Sequence, residues 1–173
     1  MPAAAQSGHP GLEPPVRFGA MALPDAAYRL IGWFSTTRFD RALHPLLYRR
    51  SGGRGITGRV LGADNVLLTT TGRTSGQPRT VALFAFDDGR GLVVIGSRGG
   101  SGRVPDWALN LQASPRATIQ VGPRTAPAAA RELTGDEYEA AFELGASRYP
   151  GYRVYRRNAT HHIPIFRLEP AAT

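Results

Sequence analysis

Between Asn65 and Ser97, three runs of β-branched and apolar residues are separated by joins too short to carry a crossover. Asn65–Thr71, Pro78–Phe86 and Gly91–Ser97 are rich in the residue types that suit a pleated sheet. Gly72–Gln77, with two glycines, makes the first turn, and Asp87-Asp88-Gly89 is a strong hairpin signal for the second. Parallel neighbours need a connection of about a dozen residues or more. These runs must therefore return on themselves as an antiparallel meander, which disfavours a Rossmann-type parallel sheet.

The rest of the chain adds strands of the same kind. Arg98–Gly102 is a glycine-rich loop, and Pro105 suits the first turn of a short helix running to Gln112. Pro115–Val121 and Arg124–Leu133 read as two further strands, and Ile163–Leu168 as the last. Thr134 and Glu137 have the spacing of a capping box for a helix from Gly135 to Arg148, followed by a tyrosine-rich turn or helix over Tyr149–Arg157. The sum is an α+β chain of about six mainly antiparallel strands with peripheral helices. A small closed or split β-barrel fits that count.

Upstream, Tyr28, Leu30, Ile31 and Phe34, then Phe39, Leu43, Leu46 and Leu47, recur at helical spacing within Asp25–Arg50. Amphipathic helices of this kind usually bury their apolar face in the protein. The arginines along it also suit a weak peripheral contact with an anionic membrane. Ser51–Gly58 has neither P-loop nor dinucleotide spacing and reads as a linker. Residues 1–20 are expected to be a flexible tail, and 21–173 a single split-barrel domain with an N-terminal helical segment.

Composition removes several chemistries. With no cysteine there is no disulfide, iron–sulfur cluster, thiolate zinc site or cysteine nucleophile. His9, His44, His161 and His162 show no metal-ligand spacing, so no metal site is expected. Gly-x-Ser-x-Gly is missing, and no paired carboxylates suggest a glycosidase. A chain so poor in catalytic equipment of its own favours a borrowed cofactor. The formal net charge is +8, and all 21 basic residues are arginine, whose planar fork suits phosphate and carboxylate groups. The start of the chain lacks the pattern of a signal peptide, and no stretch approaches the roughly 20 apolar residues of a membrane span. A cytoplasmic protein is expected, membrane-associated only if the N-terminal helix makes it so.

Two loops can hold an anion. Thr69–Arg79 sets hydroxyls, glycine amides and two arginines around one strand turn, where successive N–H groups can form a nest. Ser97-Arg98-Gly99-Gly100 offers the same chemistry after the third strand. A third segment interleaves Tyr149, Tyr152 and Tyr155 with arginines. By composition alone the first loop is equally a solubilising hairpin and the tyrosines core filler.

Leu67–Arg79, reading LLTTTGRTSGQPR, resembles the LLTTTGRKTGQPR signature of the deazaflavin-dependent nitroreductases. Ser97–Gly100 resembles that family's A-S-K-G-G loop, and Pro105–Asn110 its P-x-W-Y-x-N-L helix. Pro115 with Ile119–Gly122, Tyr149–Tyr155 and Ile163–Ile165 follow in the family's order, so the similarity runs from about Leu46 to Pro170. The resemblance implies a split β-barrel, commonly a homodimer, that binds reduced coenzyme F420 and passes a hydride to a quinone, nitroaromatic or enone. It implies a cofactor site lined by Arg73, Thr74, Ser75, Arg79, Thr80, Val81, Ala82, Leu83 and Phe84. Ile95, Gly96, Ser97, Arg98, Asp106, Trp107, Ala108, Leu109, Asn110 and Tyr152 would complete it. Leu83, Phe84, Ile95 and Trp107 are the apolar groups available to the ring. Ser97, Tyr149, Tyr152 and Tyr155 would face the acceptor, where a phenol could help supply a proton.

Two positions depart from the pattern. Thr74 replaces a lysine, and Ala108 replaces an aromatic residue. FMN in a split barrel is the alternative cofactor, needing less positive charge because it has no glutamyl tail. A non-enzymatic basic module is the remaining alternative. Nucleic acid is disfavoured as a partner, because no RRM, helix-turn-helix or zinc-knuckle pattern appears.

Overall fold

A computed structural model describes residues 24–28 and 64–171. The body consists of β1 (Asp64–Thr71), β2 (Pro78–Asp87), β3 (Leu92–Ile95), α1 (Asp106–Ala113), β4 (Arg116–Val121), β5 (Arg124–Glu132), α2 (Gly135–Arg148), α3 (Gly151–Asn158) and β6 (Ile165–Pro170). A single 3-10 turn, Arg98–Gly100, lies between β3 and α1. All strand pairs are antiparallel, and the ring runs β1-β2-β3-β6-β5-β4 before closing on β1. This is the expected barrel of six antiparallel strands. Outside the described residues lie the 1–20 tail, the Ser51–Gly58 linker and all of the expected Asp25–Arg50 helix beyond Tyr28.

Strand alternation divides the apolar residues into two clusters. Val66, Leu68, Ala85, Val94, Phe166 and Leu168 form one, closed by Trp107, Ala108 and Leu111 of α1. Phe86, Val93, Ile95 and Ile165 carry the other, under Tyr138 and Phe142 of α2 and Tyr152, Val154 and Tyr155 of α3. Each fully buried aliphatic or aromatic side chain contributes about 1.5–3 kcal/mol. Gly145 lets α2 approach the sheet closely, since a Cβ there would collide with Ile95.

Three local expectations are corrected. β3 ends at Ile95 rather than Ser97, and β6 begins at Ile165 rather than Ile163. Gly96 causes both: its N–H donates to the Pro164 carbonyl at 2.8 Å, and a Cβ would lie 2.9 Å from the Pro164 ring. The third correction is the capping box. Thr134 occupies the N-cap of α2 but makes no side-chain cap bond, and Glu137, the other half of the expected box, is engaged elsewhere. Its carboxylate accepts from Arg131 (2.7 and 3.1 Å), Arg167 (3.0 Å) and Arg90 (3.2 Å). Arg167, only 6% exposed at its side chain, also donates from Nε to Asp88 Oδ2 at 2.6 Å. This hub ties the β2–β3 turn, β5 and β6 to the start of α2. Among the described residues, no helix is long and apolar enough to cross a membrane.

Candidate active site

The β1–β2 turn is built by its glycines. Gly76 has φ of +65°, and the N–H groups of Gly72 and Gly76 bond to Gln77 O (2.9 Å) and Gly72 O (2.7 Å). The turn leaves Arg73, Thr74, Ser75 and Arg79 exposed at one rim of the barrel, with Arg79 donating to Ser75 Oγ at 3.4 Å. Below it, the hydroxyls of Thr69 and Thr80 meet across the strands at 2.8 Å.

α1 locks this turn in place. Asn110 is 3% exposed and uses both ends of its amide. Its Oδ1 accepts from the Arg73 backbone N–H (3.1 Å) and guanidinium (3.3 Å), while Nδ2 donates to Thr70 Oγ1 (3.0 Å). Asp106, on the first turn of the same helix, pairs with Arg73 at 3.2 Å. The structure thus brings Arg73, Asp106 and Asn110 together. Thr70, the fourth partner, was not among the expected site residues. Its inward place at the end of β1 is a matter of register, which no local motif announces.

The second loop is conformationally unusual. Arg98 has φ of +46°, and Gly99, Gly100 and Gly102 have φ of +62°, +73° and +72°. A side chain on Gly100 would press on Tyr155 Cα at 3.3 Å, so the loop rests directly on α3. Ser97, 5% exposed, precedes it, and its hydroxyl makes no cap bond.

The expected ring-lining residues do not share one face. Strand alternation sends Val81 and Leu83 towards the barrel cluster, with Trp107, and Phe84 towards the tyrosine cluster, with Ile95. Residues 80 to 84 are nevertheless all half-buried, so both faces of β2 retain accessible surface here.

Tyr149, Tyr152 and Tyr155 are all buried against one another. Tyr155 donates its hydroxyl to the Tyr28 carbonyl at 2.8 Å, which leaves Tyr149 to donate to Tyr155 at 2.9 Å. The Tyr152 ring meets that of Tyr149 edge-on at 5.4 Å, and its hydroxyl has no hydrogen-bond partner among the described residues. Burial pushes all three phenols above the usual tyrosine range. They hold their protons and act as hydrogen-bond donors in preference to acids.

The arginines of α3 are not free. Arg153 pairs with Glu143 at 2.6 Å, Arg156 with Glu139 at 2.7 Å and Arg157 with Asp25 at 2.7 Å. Arg79, Arg98, Arg103 and Arg116 form no ion pair among the described residues. Arg116 adjoins the signature turn, because Ala117 pairs with Thr70. It too was missed, being remote in sequence from the motif that it borders.

The model of the F420H(2)-dependent quinone reductases matches residues 41–170. The chain belongs to that family. F420H(2)-dependent quinone reductases from two strains of Mycobacterium tuberculosis are each 36% identical to it over 118 residues, covering 64% of this chain and 78% of theirs. A solved F420-H2 dependent reductase, FDR-A, is 36% identical and superposes with a TM-score of 0.56, over 61% of this chain and 93% of that one. A structure described as a domain-swapped dimer gives 0.57 at the same identity, over 61% and 79%. As an F420H(2)-dependent quinone reductase the protein is an oxidoreductase, and its cofactor is coenzyme F420. The residues present fit that group. Unpaired arginines suit its phosphate and glutamyl carboxylates, and Ser97 offers a buried hydroxyl not used in capping its own loop.

Proposed function

We propose that this quinone reductase holds F420 between the Thr69–Arg79 turn, the Ser97–Arg98 loop and the first turns of α1, in one domain formed by residues 21–173. Reduced F420 supplies the hydride when bound. Arg79 and Arg98 take the anionic part of the cofactor. Arg73 and Asn110 keep that turn in its shape. Val81, Leu83 and Trp107 on one side, with Phe84 and Ile95 on the other, limit the space open to a flat ring.

The acceptor is a quinone lying against the Ser97 hydroxyl and the tyrosines. As hydride reaches it, negative charge gathers on a carbonyl oxygen, and hydroxyl donors aimed at that oxygen stabilise the change. Ser97 and Tyr152 have hydroxyls free for this purpose, whereas Tyr149 and Tyr155 spend theirs on each other and on Tyr28. Holding the two reactants in register is the larger part of the work. We further propose a homodimer, on the strength of the domain-swapped dimer that is 36% identical to this chain.

The observation that carries this reading is the Asn110 knot, which ties the signature turn to α1 beside unpaired cations. Fluorescence titration of the purified protein with F420 and with FMN, followed by turnover of a naphthoquinone with reduced F420, tests it. Saturable F420 binding is expected; retention of FMN with no response to F420 would overturn it. Ser97→Ala and Tyr152→Phe should each lower kcat about tenfold with Kd for F420 unchanged. Unaltered kcat in both variants would remove the proposed donors.

A further inference from the structure

A second concavity shares no lining residue with the proposed F420 and acceptor positions. The start of α2, the end of α3 and the residues leading into β6 border about 540 Å³ there. That volume lies within the range of about 300–1,000 Å³ found for small-molecule sites. Its wall is aromatic: Tyr138 and His162 stack with ring centroids 4.9 Å apart and planes at 30°. Arg156 is fixed beside them, bonded to both carboxylate oxygens of Glu139 (2.7 and 2.8 Å) and 4.4 Å from the centre of the Phe142 ring.

Two groups in this wall have hydrogen-bonding capacity unused. Tyr138 is 8% exposed, and its hydroxyl has no partner among the described residues yet is not sealed from solvent. Burial raises its pKa, so the phenol keeps its proton and donates. His161 has no partner at either ring nitrogen, and both nitrogens are buried. Buried polar atoms are seldom left in that state.

Charge narrows the ligand. An anion would meet the carboxylates of Asp136 and Glu139. A cation would meet Arg156 and the positive end of α2, which Thr134 leaves without a side-chain cap. The lining therefore suits a neutral, flat molecule that both donates to a carboxylate and accepts from a phenol. A quinone brings carbonyl acceptors alone. Its reduced form, a hydroquinone, carries hydroxyls that do both.

We propose that this concavity is a second site, for a neutral diphenol of the hydroquinone class, the product of quinone reduction. One hydroxyl donates to Asp136, and the ligand accepts from Tyr138. A turn of the His161 ring towards it gives one nitrogen the partner that it lacks. The protein then tells product from substrate by their hydroxyl hydrogens.

The test uses the full chain without F420, under anaerobic conditions, with 1,4-dihydroxynaphthalene as the probe. The Cε1–H resonance of His162, assigned by its loss in His162→Gln, should shift saturably, with Kd at least tenfold below that for 1,4-naphthoquinone or benzoate. Tyr138→Phe and Asp136→Asn should each raise Kd about fivefold or more, whereas Ser97→Ala should leave it within twofold. Asp136 is exposed, so its variant decides the matter even if Tyr138→Phe disturbs the core. Equal affinity for the quinone, tighter binding of benzoate, no saturable shift, or wild-type affinity in both variants would overturn the site. Failure of the cofactor reading shows separately, as absent F420 binding by protein whose His162 still responds to the diphenol.

Discussion

Arg98 carries a positive φ of 46° on a residue with a full side chain, a conformation that costs about 1–2 kcal/mol outside glycine. The surrounding loop supplies glycines at 99, 100 and 102, yet this position keeps its cation. Replacing it separates the two contributions. Arg98→Gly relieves the backbone and removes the charge, so the melting temperature should hold or rise while F420 affinity falls severalfold. Unchanged affinity in the fluorescence titration would show that the guanidinium points away from the cofactor. The Asn110 knot illustrates a different limit at this scale. Asn110 could be marked from the family pattern, but its work is internal: it binds Thr70 and the Arg73 backbone. Partners set by strand register cannot be read from a motif.

Elements were legible where their signals are local. The turns at Gly72–Gln77 and Asp87–Gly89 announce themselves in glycine and aspartate, and both hairpins form there. Strand ends set by a distant neighbour were not legible, as Gly96 against Pro164 shows for β3 and β6. The start of α2 is a similar case, because Arg131 and Arg167 arrive from β5 and β6 to take the carboxylate that a cap would have used. Hydrogen bonds from Arg131 and then Arg167 hold the Glu137 carboxyl down at about 2, against an ordinary 4.5. A depressed folded value means that the hub's stabilisation is complete above pH 4.5 and is lost as pH falls towards 2. Acid titration of stability in wild type and Glu137→Gln should therefore differ most above that window and converge within it. Parallel curves throughout would show that the hub makes no net contribution.

Over the whole molecule, the net charge of +8 overstates the cation available to a ligand. The α3 arginines are answered by Glu143, Glu139 and Asp25, while Arg79, Arg98, Arg103 and Arg116 have no ion pair among the described residues. Attraction of F420 should accordingly weaken with added salt, and more steeply for forms with longer glutamyl tails. Titrations at several salt concentrations with short- and long-tailed cofactor check this, and equal slopes would mean that the tail meets no cationic surface. Tyr28 is also a whole-molecule feature. Nothing in the sequence near it foretells contact with Tyr155, because closure of the fold alone brings them together. One further consequence follows from β1 being bonded on both edges, to β2 and to β4. Backbone amides of a strand flanked on both sides are late to open, so the signature turn grows out of a protected part of the closed barrel. Heat should then abolish cofactor capture only as the barrel itself comes apart, with no earlier, partially unfolded form that has lost its grip on F420.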